Sequence, residues 1–164
     1  FDCFIDFKNK KTQNINKSNY LLFTGLYDNH DQDLNYYKEL FANSISKKMI
    51  CTNPDLIVDR EKKREYCAGS VAMVFEKLGG KVVYFGKPFP EIYNFCIKKN
   101  ETILVVWDNI RTDIKGANNM KFDSLFITNG IHKNEFLDLE LKNYDRILQK
   151  YGTTANYYQK RLTW

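Results

Sequence analysis

The sequence predicts an α/β fold, and three observations carry that prediction. From Tyr20 onward, short apolar runs alternate with segments whose apolar residues recur at helical spacing. The run Ile103 to Val106 is apolar throughout, the pattern of a parallel strand covered on both faces. Turn and breaker residues separate these runs at Asn53-Pro54-Asp55, Gly79-Gly80, Gly86-Lys87-Pro88 and Gly152.

Taken in order, Tyr20 to Thr24 reads as a strand. A helix follows, with Asp33 as its N-cap and Tyr37, Leu40, Phe41 and Ile45 on one face. Lys48 to Cys51 forms a second short strand, stopped where Pro54 has no amide hydrogen to donate. After Ala68-Gly69-Ser70, the residues Val71, Val74, Phe75 and Leu78 make an apolar stripe that Gly79-Gly80 ends. Val82 to Phe85 is a strand, and Pro90 suits the first turn of a helix bearing Tyr93, Cys96 and Ile97. Asp108 stands at the end of the strand Ile103 to Val106. A short helix from about Thr112, the strand Leu125 to Ile127, and a last helix marked by Leu141, Tyr144, Leu148 and Tyr151 complete the series.

Composition narrows the classes of function. With 164 residues, 43% hydrophobic and 15% aromatic, the chain is long enough for one or two small globular units. A formal charge of +5 favours anionic partners. Lys and Arg are nevertheless scattered among Asp and Glu, and the cluster Arg60 to Arg64 is interrupted by Glu61, so it reads as a solvated face. No basic-aromatic interleaving of the kind used for base stacking is present, which argues against nucleic acid. Cys3, Cys51, Cys67 and Cys96 have neither CxxC spacing nor a neighbouring His, and are expected as reduced thiols of a cytoplasmic protein. No apolar run approaches the roughly 20 residues that span a bilayer, so no membrane association is expected. The chain opens on Phe1 and runs through an Asn/Lys tract to Ser18, from which we expect that sequence is missing upstream.

The chemistry-bearing residues sit at strand ends, where open α/β sheets bind ligands. Lys87 follows one apolar strand and Asp108 another, with Asp113 about one helical turn further on. A lysine and two carboxylates suit a phosphate ester with a magnesium ion: the ammonium neutralises phosphoryl oxygens, and hard carboxylate oxygens hold the hydrated cation.

At these residues a resemblance becomes specific. Gly86-Lys87-Pro88-Phe89-Pro90-Glu91-Ile92-Tyr93 resembles the third motif (GKPxPxIY) of the HAD (haloacid dehalogenase-like) superfamily, in its class IIA, NagD-like phosphatase group. The run Asp108-Asn109-Ile110-Arg111-Thr112-Asp113-Ile114-Lys115-Gly116-Ala117 resembles the fourth, GDxxxTDIxGA. Upstream, Thr52-Asn53-Pro54-Asp55 and Cys67-Ala68-Gly69-Ser70 are similar to the TNPD and GAG elements of the class IIA cap, and Thr128 to His132 resembles a TGVH-like turn.

The resemblance implies a partial Rossmann-like parallel sheet with the remnant of an α/β cap and with the N-terminal core strands missing. Residues 1–19 would be a weakly structured leader, 20–80 most of the cap and 81–164 the C-terminal half of the core. It further implies hydrolysis of a small phosphorylated metabolite with Mg2+. In it, Lys87 would contact the phosphoryl group, Asp108 would ligate the metal, and Asp113 would stand behind them, fixing a metal-bound water or the loop. Asn53, Asp55 and the Ala68-Gly69 backbone would face the substrate from the cap.

Three departures qualify this. Nothing matches the DxDG strand that supplies the nucleophile, since Asp2 and Asp6 are four apart and close no apolar strand. In the family that strand pairs with the one ending at Asp108, so an unpaired apolar edge is expected. Trp107 stands where the family has glycine. Lys121 replaces a glycine that ends the short helix, and a non-glycine left-handed cap costs about 1 kcal/mol. The expected function is therefore a phosphatase chain inactive by itself. The alternatives are the C-terminal half of a split phosphatase completed by a separately encoded N-terminal piece, or a non-catalytic binding protein; cap-mediated homodimers are common in similar proteins.

Overall fold

The computed structural model describes residues 11–60, 63–98 and 100–163. The sequence expectations about Asp2, Cys3 and Asp6, and most of the leader, lie outside them.

Three short parallel strands, β1 (Tyr20–Phe23), β2 (Lys48–Cys51) and β5 (Lys81–Tyr84), form a first sheet in the order β1-β2-β5. Two helices connect and cover them, α1 (Leu34–Phe41) and α2 (Ala68–Lys77). Helix α1 begins where Asp33 accepts hydrogen bonds from the amides of Asn35 and Tyr36 at 3.0 and 3.1 Å, so two first-turn donors are satisfied. Its Tyr37 and Phe41 meet Val71, Ala72 and Phe75 of α2 over Phe23, Met49 and Cys51 of the sheet. Phe41 stands edge-on to both Phe23 and Phe75, the favourable geometry for aromatic pairs. Ile45, expected on the helix face, lies beyond the helix end and is exposed, while Ser44 takes a buried place.

Strand β5 was grouped by sequence with the C-terminal half; by hydrogen bonding it is the third member of the first sheet. A hairpin that the sequence did not announce, β3 (Ile57–Arg60) and β4 (Lys63–Tyr66), separates β2 from α2. Arg64 lies opposite Asp59 in its register and grips both carboxylate oxygens at 2.7 and 2.9 Å. The expected solvated face thus has an internal partner.

The second sheet is also parallel, in the order β6-β7-β8: β6 (Leu104–Trp107), β7 (Asp123–Ile127) and the unanticipated β8 (Tyr157–Gln159). Helix α3 (Pro90–Cys96) leads into β6, and a π-helical turn at Ile110–Ile114 continues as α4 (Lys115–Met120). Two further helices, α5 (Lys133–Phe136) and α6 (Tyr144–Lys150), close the unit around Ile110, Ile114, Phe126, Phe136 and Leu148. Pro90 occupies the first turn of α3 as expected, but Cys96 is exposed and Tyr93 is the residue turned inward. Among the described residues β6 pairs only with β7; Leu104 is 50% and Trp107 52% exposed, so this strand is not covered on both faces. Lys121 caps α4 at φ 59° and ψ 37°, the left-handed conformation expected there. No described helix is long and apolar enough to cross a membrane.

Candidate functional site

The site is assembled from loops at the ends of both sheets. After β2, Asn53 accepts from the Asp55 amide at 3.2 Å, and the Asp55 carbonyl accepts from the Gly69 amide at 3.1 Å. Gly69 is required by this approach, because a Cβ there would meet the carbonyl oxygens of Pro54 and Asp55, the latter at 2.6 Å. Ala68 and Gly69 are buried, and the amide of Gly69 is engaged by this turn. Asn53 shapes the same turn.

The turn aims the Asp55 carboxylate at the other sheet. One of its oxygens accepts from Asn109 Nδ2 at 2.9 Å and from Thr112 Oγ1 at 2.5 Å, while the other lies 3.7 Å from Lys87 Nζ. Asp55 therefore joins the first unit to the second through Asn109 and Thr112. Asn109 and Thr112 belong to the fourth motif but carried no role in the sequence reading; nothing in residue type or spacing pairs them with a carboxylate more than fifty positions away.

Lys87 follows the Gly86 turn, where φ is 104° and Pro54 and the Thr52 carbonyl pack close by. Its ammonium lies 2.5 Å from Asp113 Oδ1 and 4.6 Å from the centre of the Trp107 ring. Burial works against this ammonium, but Asp113, Asp55 and Asp108 together outweigh it and hold the lysine above its ordinary pKa. Asp113 is only 2% exposed, and its second oxygen accepts from the Asn109 amide at 3.2 Å. Burial pushes this carboxyl up to about 6 although Lys87 pulls the other way. At neutral pH both partners are charged.

Asp108 is held by the turn that follows β7. Its Oδ2 accepts from the Ile131 amide at 3.1 Å, and its side chain fills the space that a Cβ on Gly130 would need. That turn is stiffened in two ways. His132, buried, bonds Glu135 at 2.6 Å, and Tyr151 donates to the same carboxylate. Arg64 reaches across from the hairpin to the Ile131 carbonyl at 3.1 Å.

Of the residues singled out by sequence, Lys87, Asp113 and Asp55 thus converge in direct contact, and Asp108 stands near enough for its charge to act on Lys87. Among the described residues no group of three or more His, Cys, Asp or Glu side chains forms a metal-holding cluster. The donor chemistry of Asp108 nevertheless fits a hard cation such as Mg2+, which takes one or two carboxylates and keeps several waters. Asp113 does not fit as a direct ligand, since Lys87 and the Asn109 amide occupy its oxygens.

Comparison with known proteins defines the class. Residues 84–153 match the family model described as HAD-hydrolase-like. A haloacid dehalogenase-like hydrolase from Brucella suis superposes with a TM-score of 0.69 at 30% identity, over 74% of this chain and 51% of that one. A possible sugar phosphatase from Cytophaga hutchinsonii gives 0.62 at 22% identity, over 92% and 54%. A p-nitrophenyl phosphatase from Archaeoglobus fulgidus gives 0.58 at 16%, over 89% and 55%. No curated protein sequence matches the chain. The C-terminal part of the chain thus matches the HAD-hydrolase-like family model, and the chain is similar in fold to a haloacid dehalogenase-like hydrolase. The chain spans about half the length of the structures it matches.

Proposed function

We propose that this chain contributes the phosphate-binding and metal-binding half of a phosphate monoester hydrolase. The observation that carries the reading is the convergence of Lys87, Asp113 and Asp55 beside Asp108 at the junction of the two sheets. Similarity in fold to a possible sugar phosphatase and a p-nitrophenyl phosphatase supports it.

In this reading Lys87 meets the phosphoryl oxygens, and Asp113 keeps its ammonium charged and aimed. Asp108 would hold Mg2+, which when bound would neutralise charge on the transferring group. Asn53 and Asp55 set the cap turn over the substrate, a small phosphorylated metabolite, and Ala68 and Gly69 support that turn from beneath. Residues 20–80 are the cap portion in this reading and 81–164 the C-terminal half of the core, with β5 hydrogen-bonded to the first sheet. The nucleophilic carboxylate comes from polypeptide outside these 164 residues, because no DxDG strand is among them. The apolar edge of β6 favours a strand docking there, whether upstream in a longer chain or in a separately encoded piece. Free Cys51, Cys67 and Cys96 accord with a cytoplasmic setting, and this reading calls on neither nucleic acid nor a membrane.

The test is a phosphatase assay with Mg2+ and an aryl phosphate. The chain alone is expected to give no turnover, and addition of a DxDG-bearing N-terminal half to restore turnover that Lys87→Ala abolishes. Lys87-dependent turnover by the chain alone would show that the nucleophile lies within it.

A further inference from the structure

Tyr93 closes the third motif, yet its side chain lies in neither the phosphate loop nor the cap. Its hydroxyl is buried and has no hydrogen-bond partner among the described residues. A phenol hydroxyl taken out of water without a partner costs roughly 1–3 kcal/mol, so its position calls for a reason.

Two features of the sequence bring it there. Pro90 starts α3 so that Tyr93, one turn on, faces α4, and Phe122 stands edge-on to its ring at 6.1 Å. Gly116 then leaves the opening: a Cβ on that residue would fall on the Tyr93 hydroxyl oxygen. Gly116 follows Asp113 by three residues along the continuous helical stretch, so the hydroxyl lies about one turn from that carboxylate. The Asp113 oxygen facing Lys87 is itself buried and takes no hydrogen bond besides that ion pair. A buried donor and a buried acceptor with spare capacity thus share one side of the helix. Burial first, then the charges of Asp113 and Asp55, push the phenol up to about 12, so it is protonated and able to donate.

We propose that Tyr93 is a positioning residue: its hydroxyl, seated on Gly116, donates through one bridging water to Asp113 Oδ1 and fixes the carboxylate that grips Lys87. The bridge follows ordinary practice, in which a buried water satisfies polar groups that do not meet directly. Gly116 then has a stated purpose, since any side chain there would displace the phenol. The inference deepens the phosphate-site reading and rests on it for the importance of Lys87, though the Tyr93–Asp113 link is measurable without activity.

The experiment is a double-mutant cycle on the full 164-residue chain, with Tyr93→Phe, Asp113→Ala and the pair, followed by thermal unfolding. Tyr93→Phe is expected to lower Tm by roughly 2–4 °C in the native background and to leave it unchanged or raised in the Asp113→Ala background. A phenol that is simply buried without a partner predicts a rise in both backgrounds, and that result overturns the proposal. Should Asp113→Ala fail to fold, proton NMR supplies the second arm. A slowly exchanging hydroxyl resonance that is absent in Tyr93→Phe and shifts in Asp113→Asn supports the link, and a resonance unmoved by Asp113→Asn defeats it. Loss of inorganic phosphate binding on Lys87→Ala tests the site itself. Phosphate binding that depends on Lys87 alongside a null cycle would remove the role of Tyr93 and leave the site standing.

Discussion

The two sheets of this chain are built alike but finished differently. Both are three-stranded and parallel. In the first, two helices close an aromatic core in which Tyr37, Met49, Val71 and Phe75 are fully buried. In the second, the core lies under β7 and β8, and β6, the strand that carries Asp108, has half-exposed Leu104 and Trp107. The candidate site therefore draws on both a closed unit and an open one. The closed unit supplies a rigid platform for Asp55 and Lys87, while the open one presents Asp108 beside an edge able to accept another strand.

The largest expected effect sharpens this contrast. Phe75→Ala should cost about 3–5 kcal/mol in urea unfolding, whereas Leu104→Ala on the open edge should cost less than about 1 kcal/mol. Equal costs would mean that β6 is packed as firmly as the first sheet, and the comparison would collapse.

Next in size is a pH effect at the junction. The Asp113 carboxyl titrates near 6 when folded, against an ordinary value of 3.8. Between these values the folded chain holds the extra proton, so the group's contribution is fullest below about pH 4 and is lost as pH rises through 6. Stability curves of the native chain and Asp113→Asn should therefore diverge in that window, by on the order of 3 kcal/mol, and run parallel above about pH 7. Parallel curves throughout would place Asp113 in a wetter site than its 2% exposure indicates.

Asp55→Ala addresses the joint itself. It leaves Asn109 and Thr112 without their shared acceptor, at a cost of about 1–3 kcal/mol. Amide hydrogen exchange should quicken in the turn at Ile110–Ile114 while the core of α1 and α2 is unchanged. Lys121→Gly has the smallest expected effect, a gain of up to about 1 kcal/mol from relief of the left-handed backbone at φ 59°. Thermal unfolding reads it directly, and a loss would show that the lysine side chain makes a compensating contact.

How much of this could be read beforehand differs by element. Helix α1 was legible because its N-cap and its apolar spacing agree, and the positions of Lys87 and Asp108 just after strands, with Asp113 a helical turn beyond, were legible from motif order. The hairpin β3–β4 was not. Its strands carry Asp59, Arg60, Lys63, Arg64 and Glu65, which resemble a solvated run until Arg64 is seen opposite Asp59. Strand β8 was missed for a related reason: three residues carry too little periodicity, and its pairing with Leu125, Phe126 and Ile127 identifies it.

By itself the sequence determined the α/β alternation, the starts of α1 at Asp33 and α3 at Pro90, and the residue types at each strand end, because these depend on neighbours a few positions away. Only the tertiary structure decided that β5 joins the first sheet and that Asp55 bonds to Asn109 and Thr112. It also placed Trp107 beside the Lys87 ammonium and Tyr93 in the opening left by Gly116. Those contacts join positions far apart along the chain, and their energies depend on burial and distance, which no local pattern encodes.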